Sequence, residues 1–154
     1  MPTQAEVLET LMPFVHAVAD LDLCDSAAAM ASLEAAFPIA SLGAVHQQLA
    51  AARDEGWLTP RKATDALTFG RVAKPTEATR GLSIDAVDMA GAGAPHTHPS
   101  GEVSLCFAEG GDPRFCGHSE GWVVVPPGSH HTPDVTGGRM LIVYFLPDGA
   151  MIWD

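Results

Sequence analysis

The spacing of apolar residues along the chain changes character near residue 60. Before that point, alanine- and leucine-rich stretches carry an apolar residue every three or four positions, which is the spacing of one helical face. This pattern predicts three helices. The first follows Thr3, the second runs from about Ser26 to Phe37, and the third begins near Ser41 and ends at Gly56.

Single residues mark the ends of these helices. Thr3 and Glu6 form a T-x-x-E capping box, in which each side chain can bond a free backbone N–H at the start of a helix. Ser41 is a candidate N-cap, and Gly56 is suited to the position just past a helix. Pro13 lies inside the first helical stretch and should kink it or split it.

After residue 60, short β-prone runs alternate with turn-forming glycine and proline clusters. No helical crossover separates them, so we expect antiparallel pairing. The predicted fold is mainly β: a small antiparallel barrel, residues 61–154, preceded by an N-terminal helical part, residues 1–60, that packs on it. The predicted strands are Ala66–Ala73, Gly81–Met89, Glu102–Ala108, Gly121–Pro126 and Arg139–Leu146.

Composition narrows the classes of partner. The chain has 154 residues with a formal net charge of -11, which argues against nucleic acid and anionic membranes because both require a cationic face. An anionic substrate would need a local positive centre. The N-terminus lacks the pattern of a signal peptide, and the longest apolar run, Met140–Leu146, is too short to span a bilayer. The spacing of the three cysteines in the chain does not suggest disulfide pairing. We therefore expect a cytoplasmic protein.

The stretch GAPHTHPSGE holds the candidate chemistry. His96 and His98 are two residues apart, so on a strand both would point to one face. Glu102 follows after a turn-forming Pro-Ser-Gly and can fold back toward them. His131 ends a second pattern, P-x-G-x-x-H, and can lie opposite the pair. Three imidazoles and a carboxylate are a ligand set for a divalent ion such as iron, manganese, nickel or zinc.

These two segments resemble the two motifs of the cupin superfamily. The matching positions are Gly91, His96, His98 and Glu102 in the first motif and Gly121, Pro126, Gly128 and His131 in the second. Some glycine spacings differ by one residue, and the asparagine expected after the last histidine is absent. The resemblance implies a jelly-roll barrel, a metal bound by the three histidines and the glutamate, and a homodimer. Surface histidines, or a cupin that has lost its metal, are the alternatives.

A closer resemblance, covering most of the chain, is to the 4-hydroxylaminobenzoate lyase family. It is carried by DEGWLTPRKATDALTFGRVAKP, SIDAVDMAGAGAPHTHPSGEVSL and PRFCGHSEGWVVVPPGSHHTPDVTGGRMLIVYFLPDG. This resemblance implies a lyase that converts 4-hydroxylaminobenzoate and water to 3,4-dihydroxybenzoate and ammonia in nitroaromatic degradation. A Lewis-acidic metal would stabilise the hydroxide that leaves the nitrogen.

Such a reaction needs a proton donor and a cation for the substrate carboxylate. Arg71 is the first choice for the carboxylate, because arginine binds carboxylates bidentately, and Arg114 and Arg139 are alternatives. For each arginine, a solvated surface position is the other interpretation.

The candidate proton donors are His118, Glu109 and Tyr144. For Tyr144, packing against the helices is favoured over a catalytic role. Glu102 would itself be the acid–base group if it did not bind metal.

Two other functions are compatible with the same residues. A cupin dioxygenase acting on an aromatic ring would use the same ligands but require oxygen. A metal-binding sensor or regulator would instead bind a partner through its helices, and an extensive exposed apolar patch there would favour it.

Overall fold

In a computed structural model that describes residues 1–154, three helices are followed by nine strands. The helices are α1 (Gln4–Ala19), α2 (Ser26–Ala36) and α3 (Gly43–Asp54), with a 3-10 turn at Ile39–Ser41. The strands are β1 (Arg61–Thr64), β2 (Leu67–Ala73), β3 (Leu82–Met89), β4 (His96–His98), β5 (Glu102–Phe115), β6 (Gly121–Val125), β7 (Ser129–His131), β8 (Val135–Pro147) and β9 (Ile152–Trp153).

The strands form two sheets in which every pairing is antiparallel. The larger sheet has the order β1-β2-β3-β8-β5-β6, and the smaller has the order β7-β4-β9. One cavity is lined from both sheets, by Phe69, Val87 and Ile142 of the larger and by His96 and His131 of the smaller. The predicted small antiparallel barrel preceded by helices is therefore confirmed.

Apolar side chains cover both faces of the larger sheet. On β3, Ile84 and Ala86 belong to a core of 24 buried residues shared with all three helices. Val87 and Met89 belong to a second cluster of eight on the barrel side. This two-sided burial explains why β8 contains a continuous apolar run, Met140–Leu146, instead of a strict alternation. The division at residue 60 remains a prediction.

Aromatic packing joins α1 and α2 to the barrel. The ring of Phe14 lies edge-on to those of Phe37 and Trp122, with ring centroids 4.9 and 5.5 Å apart. The indole of Trp122 also donates a hydrogen bond to the carbonyl oxygen of Phe37 at 3.0 Å, and the Trp122 backbone N–H donates to the Glu34 carboxylate at 2.9 Å. The buried indole thus has a partner for its N–H, as a buried tryptophan requires.

The helix ends agree only in part with the prediction. The Thr3 hydroxyl accepts from the Glu6 N–H, and Gly56 has the predicted left-handed φ of 94°. However, the Glu6 carboxylate accepts from the Thr3 hydroxyl, so the box is not reciprocal. The Ser41 prediction is wrong: Leu42 is the N-cap of α3, and the Ser41 hydroxyl donates to the carbonyl of Pro38.

Helix α1 is not split at Pro13. It continues from Gln4 to Ala19, and Pro13 lies on its exposed side. The carbonyl that would have accepted from residue 13 is that of Glu9, which is exposed as well, so water can take the place of the missing donor. The apolar contacts of the buried side are thereby kept.

All five predicted strands are present, but β5 and β8 extend well beyond the predicted runs. They form a long ribbon in which Val103 pairs with Phe145 at one end and Phe115 with Val135 at the other. Strands β1 and β9 were not predicted, because β1 is exposed along its whole length and β9 has only two residues.

No single helix is long and apolar enough to cross a membrane. By length and composition alone, one bent pair of helical segments, Ser26–Ser41 with Gly43–Asp54, would be.

Gly70 holds β2 close to the segment that links the helices to the barrel. A Cβ at this position would meet the Leu58 carbonyl oxygen and lie 2.6 Å from Cδ of Pro60. We predict that Gly70→Ala lowers the free energy of unfolding by about 1–3 kcal/mol through overpacking. Urea denaturation checks this. Gly110→Ala is the matched control, because nothing lies within 4 Å of the added methyl group. Equal stability of the two variants would contradict the close approach.

Candidate metal centre

The histidine cluster is built by the pairing of two short strands. In the register of β4 with β7, His96 lies directly opposite His131, and Thr97 lies opposite His130. Since alternate residues of a strand point to opposite faces, His96, His98 and His131 share one face and His130 lies on the other. His130 instead pairs with the carboxylate of Asp154 at 2.9 Å.

Four donor atoms converge on that face. Nε2 of His98 lies 2.9 Å from Nε2 of His96, 3.0 Å from Nε2 of His131 and 3.0 Å from Oε2 of Glu102. His96, His98 and Glu102 are all buried. A ring nitrogen carries either one proton or one lone pair, so His98 Nε2 can make one good hydrogen bond and not three. A cation placed among these atoms would relieve that crowding.

The separations fit a divalent metal. A metal–nitrogen bond of about 2.0–2.1 Å, with ligands at right angles, puts neighbouring donor atoms roughly 3 Å apart. The donor atoms of the three histidines all lie within 4.8 Å of one another, and Glu102 reaches this set from the side of His98. The three histidines therefore fit a divalent ion, while Glu102 contacts only His98 among them and remains a predicted ligand.

The outward-facing ring nitrogens are held unequally. Nδ1 of His96 donates to the Ala94 carbonyl at 2.8 Å, which leaves Nε2 free for a metal. Nδ1 of His131 faces the Cys116 sulfur at 3.9 Å, and Nδ1 of His98 is buried without a partner. Burial lowers the pKa of His96 and of His131, so both imidazoles are neutral near pH 7 and can ligate.

Glu102 comes to the cluster from the larger sheet. A tight turn precedes it, with Gly101 at a φ of 84°. The Ser104 hydroxyl donates to Oε1 at 2.8 Å, which directs Oε2 toward the histidines. Burial raises the pKa of Glu102, but the hydrogen bond and charge of His98, the Ser104 hydroxyl and the charge of His131 outweigh it. The net direction is downward, which keeps the carboxylate ionised.

The donor cluster opens onto the cavity between the sheets. The cavity has a volume of about 980 Å³ and mixes apolar walls with a few polar groups. Arg71 lies on one wall, and its Nε donates to Oδ1 of Asp85 at 2.8 Å. The Trp153 ring lies edge-on to His96, with the centroids 4.9 Å apart. A concave space with apolar walls and convergent polar groups has the form of a small-molecule site.

The model of the family described as 4-hydroxylaminobenzoate lyase (PnbB) matches residues 10–153. The chain belongs to this family. Two relatives carry the same description. The protein from Nocardioides sp. (strain LMS-CY) is 37% identical over 94 residues, 54% of either chain. The protein from Pseudomonas putida is 29% identical over 80 residues, 49% of this chain and 46% of the relative. The chain thus spans about half the length of the relatives it matches.

Among solved structures, a cupin-like protein from Thermotoga maritima aligns with 62% of this chain and 84% of its own. Its sequence identity is 12% and the TM-score is 0.45.

Within this member of the lyase family, Tyr144 lies on the cavity wall and not against the helices. It is directly opposite Asp85 on β3 and Ser104 on β5. Its hydroxyl makes no hydrogen bond within the chain, so it is available to a ligand. Burial, followed by the charges of Asp85 and Glu102, raises the pKa of Tyr144 well above its usual range. The phenol therefore stays protonated and can donate.

Other residues predicted for the site lie away from the cavity lining. His118 is exposed in a turn after β5, and Arg114 is exposed, with its nearest carboxylate that of Asp112 at 3.9 Å. Glu109 pairs with Arg53 and His46 of α3. Arg139 forms a two-point ion pair with Asp88 on the outside of the barrel. The structure does not bring these side chains to the histidines.

Three cavity residues were not among the predicted site residues. Asp85 lies in the middle of β3, Ser104 follows Glu102 by two positions, and Trp153 lies on the two-residue strand β9. The strand alternation that relates Ser104 to Glu102 was a signal that could have identified it. For Trp153 no local signal existed, because its place depends on β9 pairing with β4.

Substitution of adjacent histidines tests the metal centre. We predict that His131→Ala lowers the affinity for a divalent ion by more than 100-fold. Loss of a residue that only hydrogen-bonds a metal ligand lowers metal affinity by about 10–100-fold, and loss of a ligand should cost more. His130→Ala should leave it unchanged, because His130 faces the other way. Titration of the chelated protein with zinc and manganese, with metal content measured by mass spectrometry, checks both. Equal effects of the two substitutions would contradict the assignment.

Proposed function

We propose that this chain is a lyase that converts 4-hydroxylaminobenzoate and water to 3,4-dihydroxybenzoate and ammonia. The observation that carries the proposal is a single cavity that holds a metal-type donor set on one side and an arginine on the other, in a chain of the lyase family. The substrate in this proposal is a small aromatic carboxylate, and the protein is a homodimer in the cytoplasm.

The proposed metal ligands are His96, His98, Glu102 and His131. A divalent ion held there would supply a Lewis acid, which stabilises negative charge as it develops on oxygen. The carboxylate of the substrate is bound by Arg71. Neither terminal nitrogen of this guanidinium has a partner in the chain. Both are therefore free for a bidentate contact.

The remaining steps follow from the chemistry of the substrate. The N–O bond breaks with its electron pair on oxygen, and water adds to the ring carbon beside the C–N carbon. A second water hydrolyses the imine and releases ammonia, and loss of the ring proton restores aromaticity. Because the N–O bond is the oxidant, the reaction needs neither oxygen nor nicotinamide. Tyr144, a protonated phenol on the cavity wall, is the proposed proton donor to nitrogen.

An anaerobic incubation of the metal-loaded protein with 4-hydroxylaminobenzoate tests the reaction. We expect 3,4-dihydroxybenzoate and ammonia in equal amounts. Chromatography measures the first product and an ammonia assay measures the second. The product should disappear in His131→Ala and remain in His130→Ala. Formation of 4-amino-3-hydroxybenzoate without ammonia would show a rearrangement instead of a lyase. Product that appears only with oxygen would indicate a dioxygenase.

The role of Arg71 has its own test. We predict that Arg71→Ala weakens binding of 4-hydroxybenzoate at least tenfold and leaves the uncharged 4-hydroxybenzamide within about threefold, since a bidentate charged contact contributes on the order of 1.5–3 kcal/mol. Calorimetry measures both. Lys62→Ala, an exposed change outside the cavity, is the control. Arg114→Ala decides between the two arginines: selective loss in that variant alone would reassign the carboxylate site.

A further inference from the structure

Four polar side chains form a row across the cavity face of the larger sheet. Arg71 on β2 lies opposite Asp85 on β3, Asp85 lies opposite Tyr144 on β8, and Tyr144 lies opposite Ser104 on β5. All four line the cavity. The row ends at the donor cluster, because Ser104 bonds the carboxylate of Glu102. It therefore connects the arginine to the candidate metal centre across one sheet.

Asp85 has no direct contact with the donor cluster, but both of its carboxylate oxygens accept hydrogen bonds. It is 6% exposed, accepts from Arg71 Nε at 2.8 Å, and accepts on its other oxygen from the Ser83 hydroxyl at 3.2 Å. A buried carboxylate is costly unless it is paired and hydrogen-bonded. This one is held from both sides, so its position is determined by the sheet and it can in turn position Arg71.

Arg71 needs such support. Strand β1 ends its pairing with β2 opposite Phe69, so Arg71 stands beyond it at an open edge. Half of its side chain, 49%, is exposed. A long exposed side chain samples many rotamers. The bond from Nε to Asp85 is the only hydrogen bond that the Arg71 side chain makes. It draws the guanidinium over β3, toward the cluster, and leaves the two terminal nitrogens unoccupied.

This row of side chains also sets the distance between the arginine and the donor cluster. Neighbouring strands lie about 4.7–4.9 Å apart, so a guanidinium over β3 is roughly 10 Å, two strand spacings, from the Ser104–Glu102 side on β5. A benzene ring with a carboxylate and a para substituent reaches straight across such a gap. A meta substituent leaves the ring axis at an angle and falls short of it when the carboxylate is bound.

We infer that Asp85 is a positioning residue that holds Arg71 at a set distance from the histidine cluster and thereby makes the cavity select para-substituted benzoates. This inference rests on the proposed function, because it specifies how the same cavity recognises its ligand. Asp85 does not touch the ligand. It acts through the guanidinium.

Binding of inert ligands tests the inference separately from turnover. With the metal-loaded protein, calorimetry should show 4-hydroxybenzoate binding at least tenfold more tightly than 3-hydroxybenzoate. In Asp85→Ala the para ligand should weaken 10-fold or more and the meta ligand less than threefold, so that the preference is lost. For 4-hydroxylaminobenzoate, KM should rise with little change in kcat.

Matched variants keep the test decisive if Asp85→Ala folds poorly. Asp85→Asn keeps an oxygen for Arg71 Nε but removes the charge, and Arg71→Lys keeps the charge but removes Nε. Both should reduce the para preference. Asp88→Asn makes the same chemical change three residues along β3, where the partner is Arg139 outside the cavity, and should keep the preference.

The outcomes separate the two proposals. A para preference that depends on Asp85 without lyase turnover would leave the inference standing and remove the function. Lyase turnover with a para preference unchanged in Asp85→Ala and Asp85→Asn would remove the inference alone. A wild-type protein that binds both isomers equally, or neither, would also overturn it.

Discussion

Apart from its exposed edge strand β1, the six-stranded sheet carries apolar clusters on both faces, and most of the molecule follows from that constraint. Helices cover one face with a shared apolar core, while the other face closes over a cavity. Carboxylates buried on such a sheet are costly unless they are paired and hydrogen-bonded. On the cavity face, Asp85 therefore bonds Arg71 and Ser83, and Glu102 bonds Ser104. The pairs that the fold requires are also the groups that shape the site.

The charge of the cavity differs from that of the chain. A net charge of -11 would repel an anionic ligand from most of the surface. Within the cavity, the ion pair with Arg71 compensates Asp85, and the histidine cluster faces Glu102. A divalent ion at the histidines would add two positive charges to a cavity that already holds Arg71. The site is then locally attractive to a carboxylate in an otherwise acidic protein.

The histidine cluster was predictable because it depends on local alternation. His96 and His98 share a face in any strand, and the second motif brought in His131. Arg114 shows the limit of the same rule. Counting by twos from Glu102 puts it on the cavity face, but β5 has two irregularities in its register before that point, and Phe115 lines the cavity instead.

Residues whose place depends on tertiary packing were beyond the sequence pattern. Asp85 and Asp88 stand in one apolar strand, and nothing local shows that the first faces the cavity and the second faces Arg139. Similarly, Ser41 has the composition of an N-cap, yet Leu42 takes that position because the Ser41 hydroxyl is used by the 3-10 turn before α3. Alternation states which residues share a face, and only the assembled layers decide what that face meets.

The hydrogen bonds of the two buried carboxylates, Asp85 and Glu102, affect which product the proposed reaction would give. After water adds to the ring, the intermediate can lose its ring proton first, which gives an aminophenol, or undergo imine hydrolysis first, which gives ammonia and a catechol. A free carboxylate beside the ring would act as a base and favour the first course. Asp85 is held by an arginine and a serine, and Glu102 by a serine and the histidines. Neither is a free base, so under the proposed reaction the cavity would favour hydrolysis of the imine and with it the release of ammonia.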